Sequence, residues 1–403
     1  MTEESWLRNT TPAFRLMIAT SWLAPEAWRE KQDQAIREAI EGGPDWTEYL
    51  RWVDRHRTPA LSWAALKRTA GIELPENAKR ELQKRSDASR MKAMRHAHQL
   101  ALVLRAFNRA GIPVMPLKGP VLSSDLYGDI GLRHSIDLDV EIAQKDMLPS
   151  RARLKDLGYV LESTYFSMTP RQEKRFLLRE YHLGFVPSQG GTLLEVHWRN
   201  QWDSSEHTEA QWNRSIPSVW QGCSYRAMNL IDQVLLLCSH GGEHAWCRAK
   251  WLGDLARIYT DRIVDWEAVL SEAQRFDQQR PLLAALRLLK MLYGLPMPNL
   301  PESAWKGLHA FLIQEPLRHL AIIEEPKARS TGAKLRDGIH KSRYDRHLWT
   351  NTTWRQSLAE LAYHREDFRT LPLPDSLFWA YAPLRPVLWA WRRIWPGKLA
   401  EKS

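Results

Sequence analysis

The run Leu117–Ile142, LKGPVLSSDLYGDIGLRHSIDLDVEI, constrains this chain more than any other stretch. A β-strand alternates its side chains between two faces, so Asp137, Asp139 and Glu141 share one side while Leu138, Val140 and Ile142 share the other. Such a strand must lie its apolar face on a core and turn its carboxylates away from it. Two neighbouring carboxylates repel unless a cation sits between them. Oxygen ligands of this kind suit Mg²⁺ or Mn²⁺, ions that in turn suit phosphates. The plainer alternative is a charged, solubilising strand edge. One short helix upstream, Gly119 would let backbone N–H groups approach phosphate oxygens while Lys118 neutralises their charge; an ordinary strand-end lysine is the other reading. Arg133 is placed to reach a phosphate, or to form a salt bridge with Asp129 or Asp137. For Ser135 a turn or cap role is favoured over a hydroxyl contact to the nucleotide.

The texture of the chain changes twice. Residues 1–97 read as helices: Pro25, Pro59 and Gly42-Gly43-Pro44 are breaks, and a long stretch follows Pro75 to near Ala110. Within it Leu100, Val103, Leu104 and Phe107 make one apolar helix face. Residues 98–200 mix strands and helices. Pro113–Leu117, Asp137–Ile142, Tyr159–Leu161, His182–Val186 and Thr192–Trp198 are strand candidates, the last two joined by Ser188-Gln189-Gly190-Gly191. Residues 201–403 read as helical again, with Asn229-Leu-Ile-Asp232 as a helix cap and Gly294 as the stop after Pro281–Tyr293. The expected fold class is therefore α+β: a small mixed-sheet domain flanked by N-terminal and C-terminal helical regions.

A third carboxylate comes from LLEVHWR, where Glu195 shares a strand face with Leu193 and His197 while Leu194, Val196 and Trp198 face the core. If that strand lies beside Asp137–Ile142, Glu195 completes a three-carboxylate cluster. His197 reads either as a group beside the cluster or as a structural histidine. Together, LKGPVLSSDLYGDIGLRHSIDLDV, LLEVHW and HGGEHAWCRAKWLGDLARI resemble the poorly characterised bacterial nucleotidyltransferase family of the polymerase-β-like superfamily, over most of residues 90–300. The resemblance implies a mixed sheet with Asp137 and Asp139 as metal aspartates and Glu195 as the third acid on a neighbouring strand. It implies NMP transfer from an NTP to a hydroxyl or phosphate acceptor, with Mg²⁺ or Mn²⁺ as cofactor. Lys118, Gly119 and Arg133 would hold the triphosphate. The superfamily usually has Gly-Ser where this chain has Lys118-Gly119. The other function classes weighed are a nucleotide-sugar glycosyltransferase using the D-x-D pair and a degenerate nucleotide-binding or interaction protein.

His240-Gly-Gly-Glu-His244 is expected to be broken by its two glycines and lacks the HExxH order of a zinc helix. His244, Arg248 and Lys250 are expected to line the nucleotide or acceptor cleft, or else Trp246, Trp251 and Asp254 lock the segment onto the α/β domain. Lys+Arg exceed Asp+Glu by 57 − 47 = 10, which favours polyanions without establishing nucleic-acid binding. Lys327–Arg346, with seven Lys/Arg and two Asp, is expected to be a solvated loop, with contact to an RNA-like acceptor as the alternative. Three cysteines form neither a disulfide framework nor a zinc pattern, and the polar start is not a signal peptide, so a cytoplasmic location is expected. No stretch is expected to span a membrane. LFWAYAPLRPVLWAWRRIW could touch a membrane surface weakly, but burial of that segment is the favoured expectation. The acceptor, whether small molecule, polysaccharide precursor, peptide, protein or RNA, is not legible.

Overall fold

Amphipathic stripes in the first hundred residues become five helices, α1 (Pro12–Thr20), α2 (Glu26–Glu41), α3 (Trp46–His56), α4 (Pro59–Arg68) and the 34-residue α5 (Glu76–Arg109). The computed structural model describes residues 6–162, 168–200, 204–323, 341, 343–349 and 364–394. Side chains set the helix starts: the Thr11 hydroxyl accepts from Phe14 N at 3.2 Å, and Asp45 accepts from Thr47 N and Glu48 N at 2.8 and 3.0 Å.

The expected strands form one five-stranded sheet. They are β1 (Met115–Pro116), β2 (Leu138–Glu141), β3 (Tyr159–Leu161), β4 (His182–Pro187) and β5 (Leu194–His197), interleaved with helices α6 (Gly119–Tyr127), α7 (Met147–Asp156) and α8 (Pro170–Arg179). Their spatial order is β1-β2-β5-β4-β3; β2 and β5 run parallel and every other pair is antiparallel. Leu138, Val140, Ile142, Leu194, Val196 and Trp198 pack on Leu100, Leu104 and Phe107 of α5 as one core. The opposite face of β2 and β5 is left for polar side chains.

After residue 200 come α9 (Ser205–Arg214), a hairpin of β6 (Ile216–Trp220) and β7 (Cys223–Ala227), and helices α10 (Leu230–Glu243), α11 (Ala249–Asp261), α12 (Trp266–Arg275), α13 (Gln279–Tyr293) and α14 (Phe311–Leu320). The hairpin interrupts a region expected to be helical throughout. Its Ile216 and Val219 are exposed and Pro217 lies inside β6, so no buried alternation marks it in the sequence.

The two helical flanks are not separate bodies. Phe14, Leu16 and Trp52 of the first share one core with Leu235, Leu252 and Leu288 of the second. Helix α5 joins this core to the sheet's core, contributing Leu82 to the former and Ala97 onward to the latter. The division expected at 97/98 thus falls inside a continuous helix.

Two expectations need correction. Helix α10 runs through Gly241 and Gly242 instead of breaking at them. A Cβ on Gly241 would lie 2.3 Å from the Trp246 ring, so the helix tolerates glycine there because a fully buried indole needs the space. The C-terminal aromatic segment is not buried as a whole. In α15 (Arg365–Thr370) and α16 (Tyr381–Ile394), Arg385 and Arg392 turn inward to the buried Asp367 at 3.1 and 2.6 Å, and Tyr381 and Leu388 pack inward. Trp379, Trp389 and Trp391 remain exposed. The basic stretch Lys327–Arg346 lies largely outside the described residues. No helix among the described residues is long and apolar enough to cross a membrane.

Candidate active site

The parallel pairing of β2 and β5 sets the site. Its register places Asp139 opposite Glu195 and Glu141 opposite His197, so four polar side chains occupy two adjacent rows of one sheet face. Asp137 lies one residue before β2. Asp137, Asp139, Glu195, His197, Lys118 and His244 all line a single cavity of about 270 Å³. Its far wall is α10, whose Asp232, Leu236, Ser239, His240 and Glu243 recur at helical spacing along one face. Expecting the helix to break at the glycines hid this stripe.

The charges are tightly coupled. Lys118 Nζ lies 3.4 Å from Asp139 Oδ2 and 3.4 Å from His240 Nδ1. His197 Nε2 lies 3.4 Å from Asp139 Oδ1 and 3.5 Å from Glu195 Oε2. Burial works to raise the Asp139 carboxyl, but Lys118 and His197 overcome it and hold the group well below the usual range. Glu195 is likewise lowered, its burial outweighed by His197. Asp137 is raised, first by burial and then by the charge of Asp139. Burial depresses His197, yet the two carboxylates prevail and bring it to about 9. Burial lowers His240, and lowers His244 to about 4, so both rings are neutral at neutral pH.

The residues fit a cation. Asp139, Glu195 and His197 each offer a ligand atom, and the three atoms lie within 4.8 Å of one another. Asp137 adds a further carboxylate to the same cavity. Glu141, on the Asp139 face of β2, is fully buried and accepts from Trp212 Nε1 at 2.7 Å, which ties it to α9. Gly119 has φ +72°, a left-handed value that the turn from β1 into α6 could not take easily with a side chain.

Four residues weighed as nucleotide contacts face inward in the structure. Arg133 is buried and its Nε donates to Asp254 Oδ2 at 2.7 Å. Lys250 Nζ donates to the His134 carbonyl at 2.9 Å, Ser135 Oγ lies 2.8 Å from His96 Nδ1, and Arg248 donates to the Arg55 carbonyl. None of the four lines the cavity. Three of them pin the 133–135 loop to α5 and α11, and that loop delivers Asp137 and Asp139. The physical reason is a deep ion pair: Asp254 of α11 takes Arg133, so the guanidinium never reaches solvent. Sequence reasoning also missed Tyr181 and His182 of the cavity wall; the alternation of His182 and Gly184 against Leu183 and Phe185 is the signal that marks His182 as facing the site.

A family model described as an uncharacterised nucleotidyltransferase matches residues 42–294, well over half of the chain. The chain belongs to that family. The match runs from the helical N-terminal region through the sheet to the end of α13, so the family unit includes both cores and not the sheet alone. No curated protein and no solved structure shows significant similarity to the chain.

Proposed function

We propose that this nucleotidyltransferase-family protein transfers NMP from an NTP to a hydroxyl or phosphate acceptor and releases pyrophosphate, in a reaction that depends on a divalent cation. The observation that carries this reading is the in-register pair Asp139 and Glu195, with Asp137 beside them and Lys118 in the same cavity. Charge points the same way. Asp137, Asp139, Glu195, Asp232 and Glu243 line the cavity, and Lys118 is the one Lys or Arg among its described lining residues. A bare triphosphate would be repelled by such a surface, whereas a cation-bound one would be held.

Asp137, Asp139 and Glu195 would hold Mg²⁺ or Mn²⁺. When bound, such ions lower the pKa of an acceptor oxygen and offset charge on the leaving pyrophosphate. Lys118 neutralises phosphate charge, and backbone N–H groups at the start of α6, beside Gly119, face phosphate oxygens. Glu195, ionised at neutral pH, accepts the acceptor's proton as the acceptor oxygen bonds to the α-phosphorus and the α–β P–O bond breaks. His244 contacts the nucleotide or acceptor from the opposite wall.

The test is incubation with Mg²⁺ or Mn²⁺, each α-labelled NTP and a cell extract as acceptor source. Label transfer with pyrophosphate release is expected, and Asp139→Asn should lower it by at least about a thousandfold while circular dichroism stays unchanged. Equal turnover by Asp139→Asn would sink the assignment of the site. Binding of UDP- or GDP-sugars in preference to every NTP would move the protein to glycosyl transfer.

A further inference from the structure

We infer that His197 is itself a metal ligand, so that this site takes a cation that accepts imidazole nitrogen, Mn²⁺ or Zn²⁺, in preference to Mg²⁺. The inference rests on the metal site proposed above and concerns which of its side chains bind the ion.

The His197 side chain is 9% exposed and projects from the central strand β5 into the cavity. Neither of its ring nitrogens makes a hydrogen bond of normal geometry, and Nε2 has only its two long ion pairs with Asp139 and Glu195. A buried structural histidine normally satisfies at least one nitrogen, because leaving both bare costs the desolvation of each. Simple pairing of an imidazolium with the carboxylates does not fit well either. A charge-assisted N–H···O bond runs at about 2.7–2.9 Å, and here Nε2 stands 3.4 and 3.5 Å from the two oxygens. Those separations are what donor atoms show around a shared ion. With bonds of about 2.1 Å, adjacent ligands lie about 3.0 Å apart at right angles and about 3.4 Å apart at tetrahedral angles.

The ring is also held in plane without using its nitrogens. It stacks on His182 with centroids 5.2 Å apart and a 27° tilt, and Tyr181 packs at 6.0 Å on the same aromatic patch. The backbone register fixes its height, since His197 sits one row along from the Asp139–Glu195 pair. Nitrogen in the donor set matters because Mg²⁺ prefers all-oxygen surroundings and keeps much of its water, whereas Zn²⁺ readily takes imidazole and Mn²⁺ tolerates it.

The experiment uses the full chain and Mn²⁺ alone. Binding is followed by loss of the free-ion EPR signal, and pulsed EPR of the bound ion reads coupling to a directly ligated ¹⁴N. Wild-type protein should bind Mn²⁺ and show that coupling. His197→Phe should lose the coupling and bind Mn²⁺ roughly 10-fold or more weakly. His197→Asp, which replaces nitrogen with oxygen, should shift the Mn²⁺ to Mg²⁺ affinity ratio toward Mg²⁺ by a similar factor. Bound Mn²⁺ without ¹⁴N coupling, or coupling that persists in His197→Phe, overturns the role of His197. If Asp139→Asn still abolishes binding in that case, the metal site itself stands. No Mn²⁺ binding at millimolar concentration overturns both.

Discussion

Replacing Arg133 with methionine separates an architectural cation from a phosphate ligand. The Arg133 side chain is 2% exposed and that of Asp254 is 0% exposed, with Nε to Oδ2 at 2.7 Å. Burial alone would lower the guanidinium pKa, but Asp254 more than offsets it. Arg133→Met removes the cation and leaves the Asp254 carboxylate accepting from the Tyr127 hydroxyl at 3.3 Å. Breaking a buried pair from one side costs about 3–5 kcal/mol, most of it the stranded charge, whereas replacing both members with apolar groups is often near neutral. Urea unfolding should therefore show Arg133→Met destabilised by about 3–5 kcal/mol. Arg133→Met/Asp254→Leu should recover most of that loss, with a coupling of about 2 kcal/mol or more across the cycle. NTP affinity of the double variant should stay within roughly threefold of wild type, because the guanidinium is not in the cavity. The reasoning fails if Arg133→Met changes stability by less than about 1 kcal/mol while weakening NTP binding tenfold or more.

Two further outcomes follow from buried groups. Lys250 holds the His134 carbonyl at 2.9 Å and so fixes the loop leading to Asp137; Lys250→Met should lower kcat about tenfold or more in steady-state assays with little change in KM for NTP. His56 is buried, its Nδ1 accepting from Ala249 N at 3.0 Å and its Nε2 donating to Leu320 O at 3.1 Å, a neutral ring with both nitrogens used. Burial pushes it down to about 3, against an unfolded value of about 6.5, so below pH 6.5 the unfolded chain takes up a proton that the folded one refuses. Its contribution is intact above pH 6.5 and falls by about 1.4 kcal/mol per unit below that, or about 2 kcal/mol by pH 5. His56→Gln keeps one donor and one acceptor, so it should remove about one proton's worth of slope from stability against pH between 6.5 and 4.5. An unchanged slope would show that His56 protonates in the fold.

What the sequence revealed and what it hid differ by the range of the interaction. The strands of the sheet were legible because alternation of Leu138-Asp139-Val140-Glu141 and Leu194-Glu195-Val196-His197 is a local signal that names its own buried face. The Asp139–Glu195 adjacency was reachable only through family resemblance, since register between strands more than fifty residues apart leaves no local trace. β6 escaped because Ile216 and Val219 face outward around Pro217, leaving Trp220 as its one buried residue. Helix α10 was misread because a glycine pair is a break in isolation and a packing notch when an indole lies against it.

Charge misled in a more instructive way. A net excess of ten positive charges favours polyanions, and Arg133, Arg248 and Lys250 are candidate phosphate contacts near the site in the sequence. Each of those cations is instead spent on a carboxylate or carbonyl from a segment distant in sequence, which no window of sequence can display. The cavity they leave behind is lined by five carboxylates, with Lys118 the one Lys or Arg among its described lining residues. An acidic cavity in a nucleotidyltransferase-family fold is unfavourable for a free triphosphate and favourable for one that arrives with divalent ions. The overall basic charge can draw a nucleotide toward the protein over a Debye length of about 10 Å, but it cannot seat the nucleotide. On the function proposed above, seating falls to ions held by Asp137, Asp139, Glu195 and His197. Affinity for NTP should accordingly depend far more steeply on divalent-ion concentration than on monovalent salt.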